Sequence, residues 1–355
     1  MSATPAKGAQ RQARDFTFIK PQARRLTEYE ALTVHQQPDA LGFDRPAANL
    51  TEVEWYLLRS DGRPLWDPDS TRLRCDDWYA YRDPAQHWQR TYVRHQEQQE
   101  TSVARVTEDA GLDGALAALD ARWVRDMLCG HYRAWSFFDY AIFRALAPAQ
   151  REALSDTLGN VLCFQSFDHL RHAQDVVIYL VELENYHGAV DDGLGKQQWL
   201  EAPEYQPARR LAEDIMATND WAELMVGLNL VVGCYLQRIA TSDLVRRMAL
   251  PNNDPVAAHI VMTAERDRRR NIAATEALVK MMLEGPHAAH NRDVIAGWLA
   301  DWGARAVAAA EALAPVFGRA PVAAVSYAES EAAARAATDT LLTGLGFAPL
   351  AGGAR

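Results

Sequence analysis

His169 and His172 stand one helical turn apart in Asp168-His169-Leu170-Arg171-His172, inside an apolar-periodic stretch from about 149 to 183. Residues three apart share a helix face, so two imidazoles at this spacing can pinch one metal ion. Asp139, thirty residues upstream, offers a carboxylate from the preceding helix. Four-helix proteins that hold two irons take Glu-x-x-His from each of two helices and one glutamate from each of the others. Here histidine occupies the place of the motif's carboxylate. The matching motif is expected in Glu265-Arg266-Asp267-Arg268-Arg269, which puts Arg266 and Arg269 in the ligand positions. A guanidinium is always protonated and offers no lone pair to a cation. Asp139, His169, His172, Arg266 and Arg269 therefore read as degenerate ligand positions. No catalytic, cofactor-binding or metal-binding residue is expected in this chain.

The plainer reading makes His169 and His172 hydrogen-bonded helix histidines, and Asp139 and Asp168 buried partners of arginines such as Arg171, Arg266 or Arg269. The run Arg266 to Arg270 then forms either a solvated face or a patch for an acidic partner. Scans for other chemistry are empty: there is no GxGxxG before a helix, no Walker loop, no GxSxG elbow and no cysteine beside an obvious base.

Positioning these groups calls for four long helices. Apolar residues recur at three- and four-residue steps through 113–147 (Leu116, Leu119, Trp123, Met127, His131, Trp135, Phe138, Ile142), 149–183, 221–250 and 254–284. Pro148 divides the first pair and Pro251 the second, with Asp254-Pro255 opening the last. The inward stripe of 221–250 offers Leu228, Val231 or Val232, and Tyr235, with no carboxylate. A connection from Glu184 to Asp220, with a short helix near 207–218, suits a crossover between two hairpins. The expected fold is all-α, a ferritin-like helical bundle. A further long helix begins with Asp83 as cap and Pro84 as first residue and runs to about Asp109. The Ala-rich stretches 290–315 and 321–345 are also helical, and a tail covers 346–355. Residues 1–83 are punctuated by prolines yet rich in aromatic rings, among them Phe16, Phe18, Phe43, Trp55, Tyr56 and Trp66. They read as an extended N-terminal arm ahead of a helical domain at 84–345, packed either on that domain or on a second chain.

The chain has 355 residues, 48% of them apolar, and a net charge of −10 from 47 acidic against 37 basic residues. That balance disfavours nucleic acid. Four scattered cysteines form no CxxC pair, no run of 18 apolar residues occurs, and no signal peptide is recognisable. A cytoplasmic protein with no membrane span is the expectation.

Four passages carry a family resemblance. They are Arg24-Arg25-Leu26-Thr27-Glu28-Tyr29-Glu30, Asp83-Pro84-Ala85-Gln86-His87-Trp88-Gln89-Arg90-Thr91-Tyr92, Asp168-His169-Leu170-Arg171-His172-Ala173-Gln174, and the altered motif at Glu265. In order and spacing they resemble the β (small) subunits of the hydroxylase component of bacterial multicomponent soluble diiron monooxygenases, which act on toluene, phenol, alkenes, propane or methane. The resemblance implies a ribonucleotide-reductase-like bundle without a cofactor of its own, paired with an α (large) subunit that carries the diiron centre. It further implies an α2β2γ2 hydroxylase served by a regulatory protein and a reductase, performing NADH- and O2-dependent hydroxylation or epoxidation of a small hydrocarbon. One competing reading is a divergent self-sufficient carboxylate-bridged oxygenase or radical-generating subunit using Asp139, His169 and His172. Another is a helical ligand-binding module.

Overall fold

A computed structural model of the chain describes residues 27–35, 67–188, 190 and 192–351. Most of the aromatic arm, with Phe16, Phe18, Phe43, Trp55, Tyr56 and Trp66, lies outside the described residues, as do Arg24, Arg25 and Leu26. Among the described residues all regular structure is helical. The long elements are α1 (Glu28–His35), α2 (Gln89–Leu112), α3 (121–149), α4 (Asp156–His187), α5 (Asp192–Glu201), α6 (Gln206–Ala217), α7 (Trp221–Asn252), α8 (Pro255–Glu284), α9 (Ala288–Ala312) and α10 (Tyr327–Gly344).

α3 packs along α4, α4 and α7 against α8, α2 across α8, and α9 and α10 on the far side of α7. This is the ferritin-like bundle, with α3, α4, α7 and α8 as its core. α8 starts where a buried aspartate can satisfy its first turn. Asp254 Oδ1 accepts from Ala257 N at 2.9 Å and from the Tyr179 hydroxyl at 2.8 Å, while Oδ2 accepts from Trp123 Nε1 at 2.9 Å. One carboxylate thus ties α3, α4 and α8 together. α4 ends at Gly188, whose φ of +74° only glycine adopts without strain.

Three helix starts differ from the sequence expectation, each for a local reason. Asp83 caps a turn, accepting from Ala85 N and His87 N. Gln86 then takes φ +51°, so α2 begins only at Gln89, with Thr91 Oγ1 accepting from Trp88 N. Asp113 and the left-handed Gly114 close α2 instead of opening α3, and Asp120 caps α3 through Arg122 N and Trp123 N. Pro148 sits in the last turn of α3, and α4 starts after Ser155, whose hydroxyl accepts from Leu158 N. The connection between α4 and α7 holds two helices, α5 and α6, where the sequence suggests one.

α7 is π-helical over Gly227–Leu236 and Arg238–Arg247 and is buried all round. Such wide turns often mark functional sites. Gly227 is required here because a Cβ would lie 2.2 Å from Cδ2 of Trp302 on α9. Among the described residues α7 is also the one helix long and apolar enough to cross a membrane, and 89% of its most apolar window is buried in the bundle. Residues 67–83 lie on the helices: Leu73 and Tyr81 are buried, Tyr81 donates to Ala274 O at 3.0 Å, and Trp78 stands edge-on to Trp221. At the other end Phe347 and Leu350 fold back into the core.

Candidate functional site

α3, α4, α7 and α8 enclose a cavity of about 30 Å³ between Asp139, His169, His172, Gln237, Arg268 and Asn271. That is room for little more than a water molecule. Asp139 on α3 is fully buried. Its Oδ1 accepts from His169 Nδ1 at 2.8 Å and Gln237 Nε2 at 3.0 Å, and its Oδ2 from His172 Nδ1 at 3.0 Å. Burial alone would push this carboxyl up. The charge of His172 and the hydrogen bonds from both rings outweigh burial and hold it well below the usual carboxylate range. An ionised carboxylate only accepts, so both imidazoles present Nδ1–H to it. Tyr132, whose phenol burial keeps protonated, lies 2.9 Å from His172 Nε2. Gln237 completes the shell by accepting from Trp135 Nε1 at 3.0 Å.

The sequence places Asp139, His169 and His172 together, and the structure does so too. They are joined by hydrogen bonds to one another, as the plainer reading has the two histidines. Arg266 and Arg269 require a correction, because both lie exposed on the outer face of α8. The inward residues are Asp267, Arg268 and Asn271, so the second motif is Asp267-Arg268-Arg269-Arg270-Asn271, two positions later than the sequence reading put it. In that register Arg268 corresponds to His169 and Asn271 to His172, and all four line the cavity. The signal was the repeated spacing Asp168-x-x-Arg171 and Asp267-x-x-Arg270.

Those four residues cross-pair beneath the cavity. Arg171 Nη2 donates to Asp267 Oδ2 at 2.6 Å, while Arg270 bonds Asp168 Oδ2 and reaches Asp267 Oδ1 at 3.0 Å. Tyr92 and Gln96 of α2 donate to Asp168 Oδ1 at 2.9 and 3.1 Å, and Gln96 and Gln99 to Asp267 Oδ1 at 3.0 and 3.1 Å. Burial pushes Asp267 up, but Arg270 and Arg171 outweigh it and hold the carboxyl low. Asp168 therefore pairs with Arg270, and Asp139 with histidines, where the sequence offered Arg171, Arg266 or Arg269 as partners. Gln237, Asn271 and the α2 glutamines gave no sequence signal, being uncharged residues within helical stripes.

Arg268 forms the cavity wall. Its guanidinium donates to Thr241 Oγ1 at 3.2 Å and Ser242 Oγ at 2.7 Å, and its nearest carboxylate, Glu265, is 3.8 Å away. Burial pushes its pKa down, against the pull of Glu265. The residues present do not fit a dinuclear iron centre. Three of the four imidazole nitrogens already face protein partners, and a guanidinium and an amide fill the second motif's ligand positions. Among the described residues no group of three or more His, Cys, Asp or Glu is arranged to hold a metal ion.

Fold and site together define a ferritin-like four-helix protein whose ligand positions hold a hydrogen-bonded polar network. The chain belongs to the methane/phenol/alkene hydroxylase family, whose sequence model matches residues 55–286. It is 28% identical over 335 residues to the small subunit of the hydroxylase component of propane 2-monooxygenase from Mycolicibacterium goodii, covering 93% of this chain and 88% of the relative. It is 27% identical over 309 residues to the beta chain of methane monooxygenase component A from Methylococcus capsulatus, covering 86% and 79%. Among solved structures, a chain of phenol hydroxylase from Pseudomonas sp. OX1 matches with a TM-score of 0.73 at 18% identity, over 92% of each chain. A chain of toluene 4-monooxygenase with toluene in the resting active site matches at 0.66 and 24%, over 87% of this chain and 99% of that one. At those identities the structures speak for the fold.

Proposed function

We propose that this chain is the structural β subunit of a diiron monooxygenase hydroxylase. In this reading it supports an iron-bearing α subunit, with γ, in an α2β2γ2 assembly served by a regulatory protein and a reductase. The reaction, carried out on α, is NADH- and O2-dependent hydroxylation or epoxidation of a small hydrocarbon. One observation carries the proposal: Arg268 occupies the ligand position of the second motif, beside a cavity with room for little more than a water molecule. The names of the relatives, small subunit and beta chain, support the assignment. So does the outer face of α4, where Phe167, Val177, Ile178 and Val181 expose apolar side chains of the kind that mark protein contacts. Four free cysteines accord with a cytoplasmic assembly.

The test is reconstitution with the proposed α subunit. His169→Gln leaves the assembled hydroxylase's turnover unchanged if this chain is structural. A loss of turnover in a fully assembled variant refutes a non-catalytic role.

A further inference from the structure

Behind Arg268, on the side away from Asp139, a second cleft of about 410 Å³ opens between α7, α8 and α10. Pockets that take small molecules begin near about 300 Å³, so this one is large enough to hold a ligand. Five arginines line it: Arg238, Arg246, Arg247, Arg268 and Arg269. Among the described residues its acidic lining residues are Asp243 and Glu265, and both are already engaged. Arg247 pairs with Asp243 at 3.3 Å and Arg246 with Glu265 at 2.9 Å. Asp243 also accepts from Ser330 Oγ at 2.7 Å. Those pairs leave Arg238, Arg268 and Arg269 without a dedicated counter-charge. Among the described residues the side chains of Arg238 and Arg269 take part in no ion pair or hydrogen bond. Arg268 meets only two hydroxyls and the distant, shared Glu265.

This excess of three positive charges sits in a protein of net charge −10. The contrast matters, because a surface selected only for solubility would not gather its cations in one concavity. Arg268 gives an independent reason. A guanidinium mostly withdrawn from water, its side chain 17% exposed, is costly when short of a carboxylate, and burial is what pushes its pKa down. An anion in the cleft would supply the missing charge.

We infer that the cleft between α7, α8 and α10 binds a phosphoryl group through Arg238, Arg268 and Arg269. A phosphoryl dianion fits better than a carboxylate for two reasons. It offsets two of the three unpaired charges instead of one, and it offers three oxygens to planar guanidinium forks. Ile272, Ala337 and Leu341 supply an apolar wall along which an organic portion of a phosphomonoester can lie. Cys234, at the same cleft, takes no chemical part, since burial pushes its thiol up to about 12. The site is one of binding, with no bond made or broken.

Isothermal titration of the full-length chain in phosphate-free buffer tests this, with inorganic phosphate, phenyl phosphate and succinate as probes. The expected result is saturable one-to-one binding of phosphate or phenyl phosphate, weakened at least about tenfold in Arg238→Gln/Arg269→Gln and unaltered in Arg125→Gln, an exposed arginine elsewhere. Tighter binding of phenyl phosphate identifies a phosphomonoester as the natural class, and tighter binding of phosphate identifies the free ion. Among the described residues the Arg238 and Arg269 side chains hold no partner, so the double variant is expected to keep its fold, which its unfolding curve verifies. Absence of saturable binding overturns the inference, as does equal affinity in the double variant or binding of succinate as tight as that of phosphate.

Discussion

Arg269 and Arg270 are neighbours in sequence and opposites in environment, and replacing each gives a sharp test of the core network. Arg270 is the cation shared by Asp168 and Asp267, whose side chains are 5% and 2% exposed. With Asp175 and Arg171, the cluster sets three carboxylates against two guanidiniums. Arg270→Met keeps an apolar stem but removes the guanidinium, whose Cζ lies 5.3 Å from the centroid of the Tyr92 ring, and leaves one guanidinium for three carboxylates. Stranding one member of a buried pair costs about 3–5 kcal/mol, which is a large share of the roughly 5–15 kcal/mol that holds a domain together. Arg269→Ala, on the exposed face, changes stability by less than about 0.5 kcal/mol. Urea unfolding at neutral pH measures both. The deficit of Arg270→Met shrinks as pH falls, because Asp168 or Asp267 can then take up a proton and shed the unmatched charge. It also shrinks in an Asp168→Asn background. A loss below about 1 kcal/mol for Arg270→Met, or equal losses for the two variants, would refute the assignment of Arg270 to the core and Arg269 to the surface.

Two further perturbations reach other parts of the bundle. His131 is fully buried between Ala240 O at 2.8 Å and the Tyr205 hydroxyl at 3.0 Å, and burial lowers its pKa to about 4. The unfolded chain takes up that proton near 6.5, so this contribution is whole above about 6.5 and is lost as pH falls toward 4. Unfolding at pH 5 should show about 2 kcal/mol less stability from this residue than at pH 7, and a His131→Asn variant should lose that dependence; an unchanged pH profile would contradict it. Gly227→Ala drives a Cβ into Trp302, whose ring is fixed by a 3.1 Å bond from Nε1 to Glu223, and should lower stability by about 3 kcal/mol in thermal unfolding. A change within about 0.5 kcal/mol would mean that α7 and α9 separate more easily than their packing indicates.

Much of the architecture could be read from the sequence where a helix carries its own start signal. Asp254-Pro255 announces α8 because cap and first residue are adjacent and chemically unambiguous. Asp113-Gly114 misleads because the same residues end helices as readily as they begin them. The site was half legible. Asp139, His169 and His172 stand out as charged or titratable groups in an apolar stripe. Arg268 and Asn271 were missed because the second motif was anchored on Glu265, which pairs with Arg246 at the outer cleft, and not on the Asp-x-x-Arg spacing it shares with the first. α7 hid its contribution in another way. Its π-helical turns break the 3.6-residue period from which an inward face is deduced, so Gln237 could not be placed beside Asp139 in advance.

The four-helix core of this chain holds a hydrogen-bonded network at the positions where a dinuclear iron site would have its ligands. Iron content, measured per polypeptide on the chain purified alone and again with the proposed α subunit, tests this most directly. No stoichiometric iron is expected in the lone chain, and in the assembly iron is expected to follow the proposed α subunit. About two irons per lone chain would contradict it, because Arg268 and the Asp139-bonded imidazoles would then have to give way to ligands that the structure does not supply.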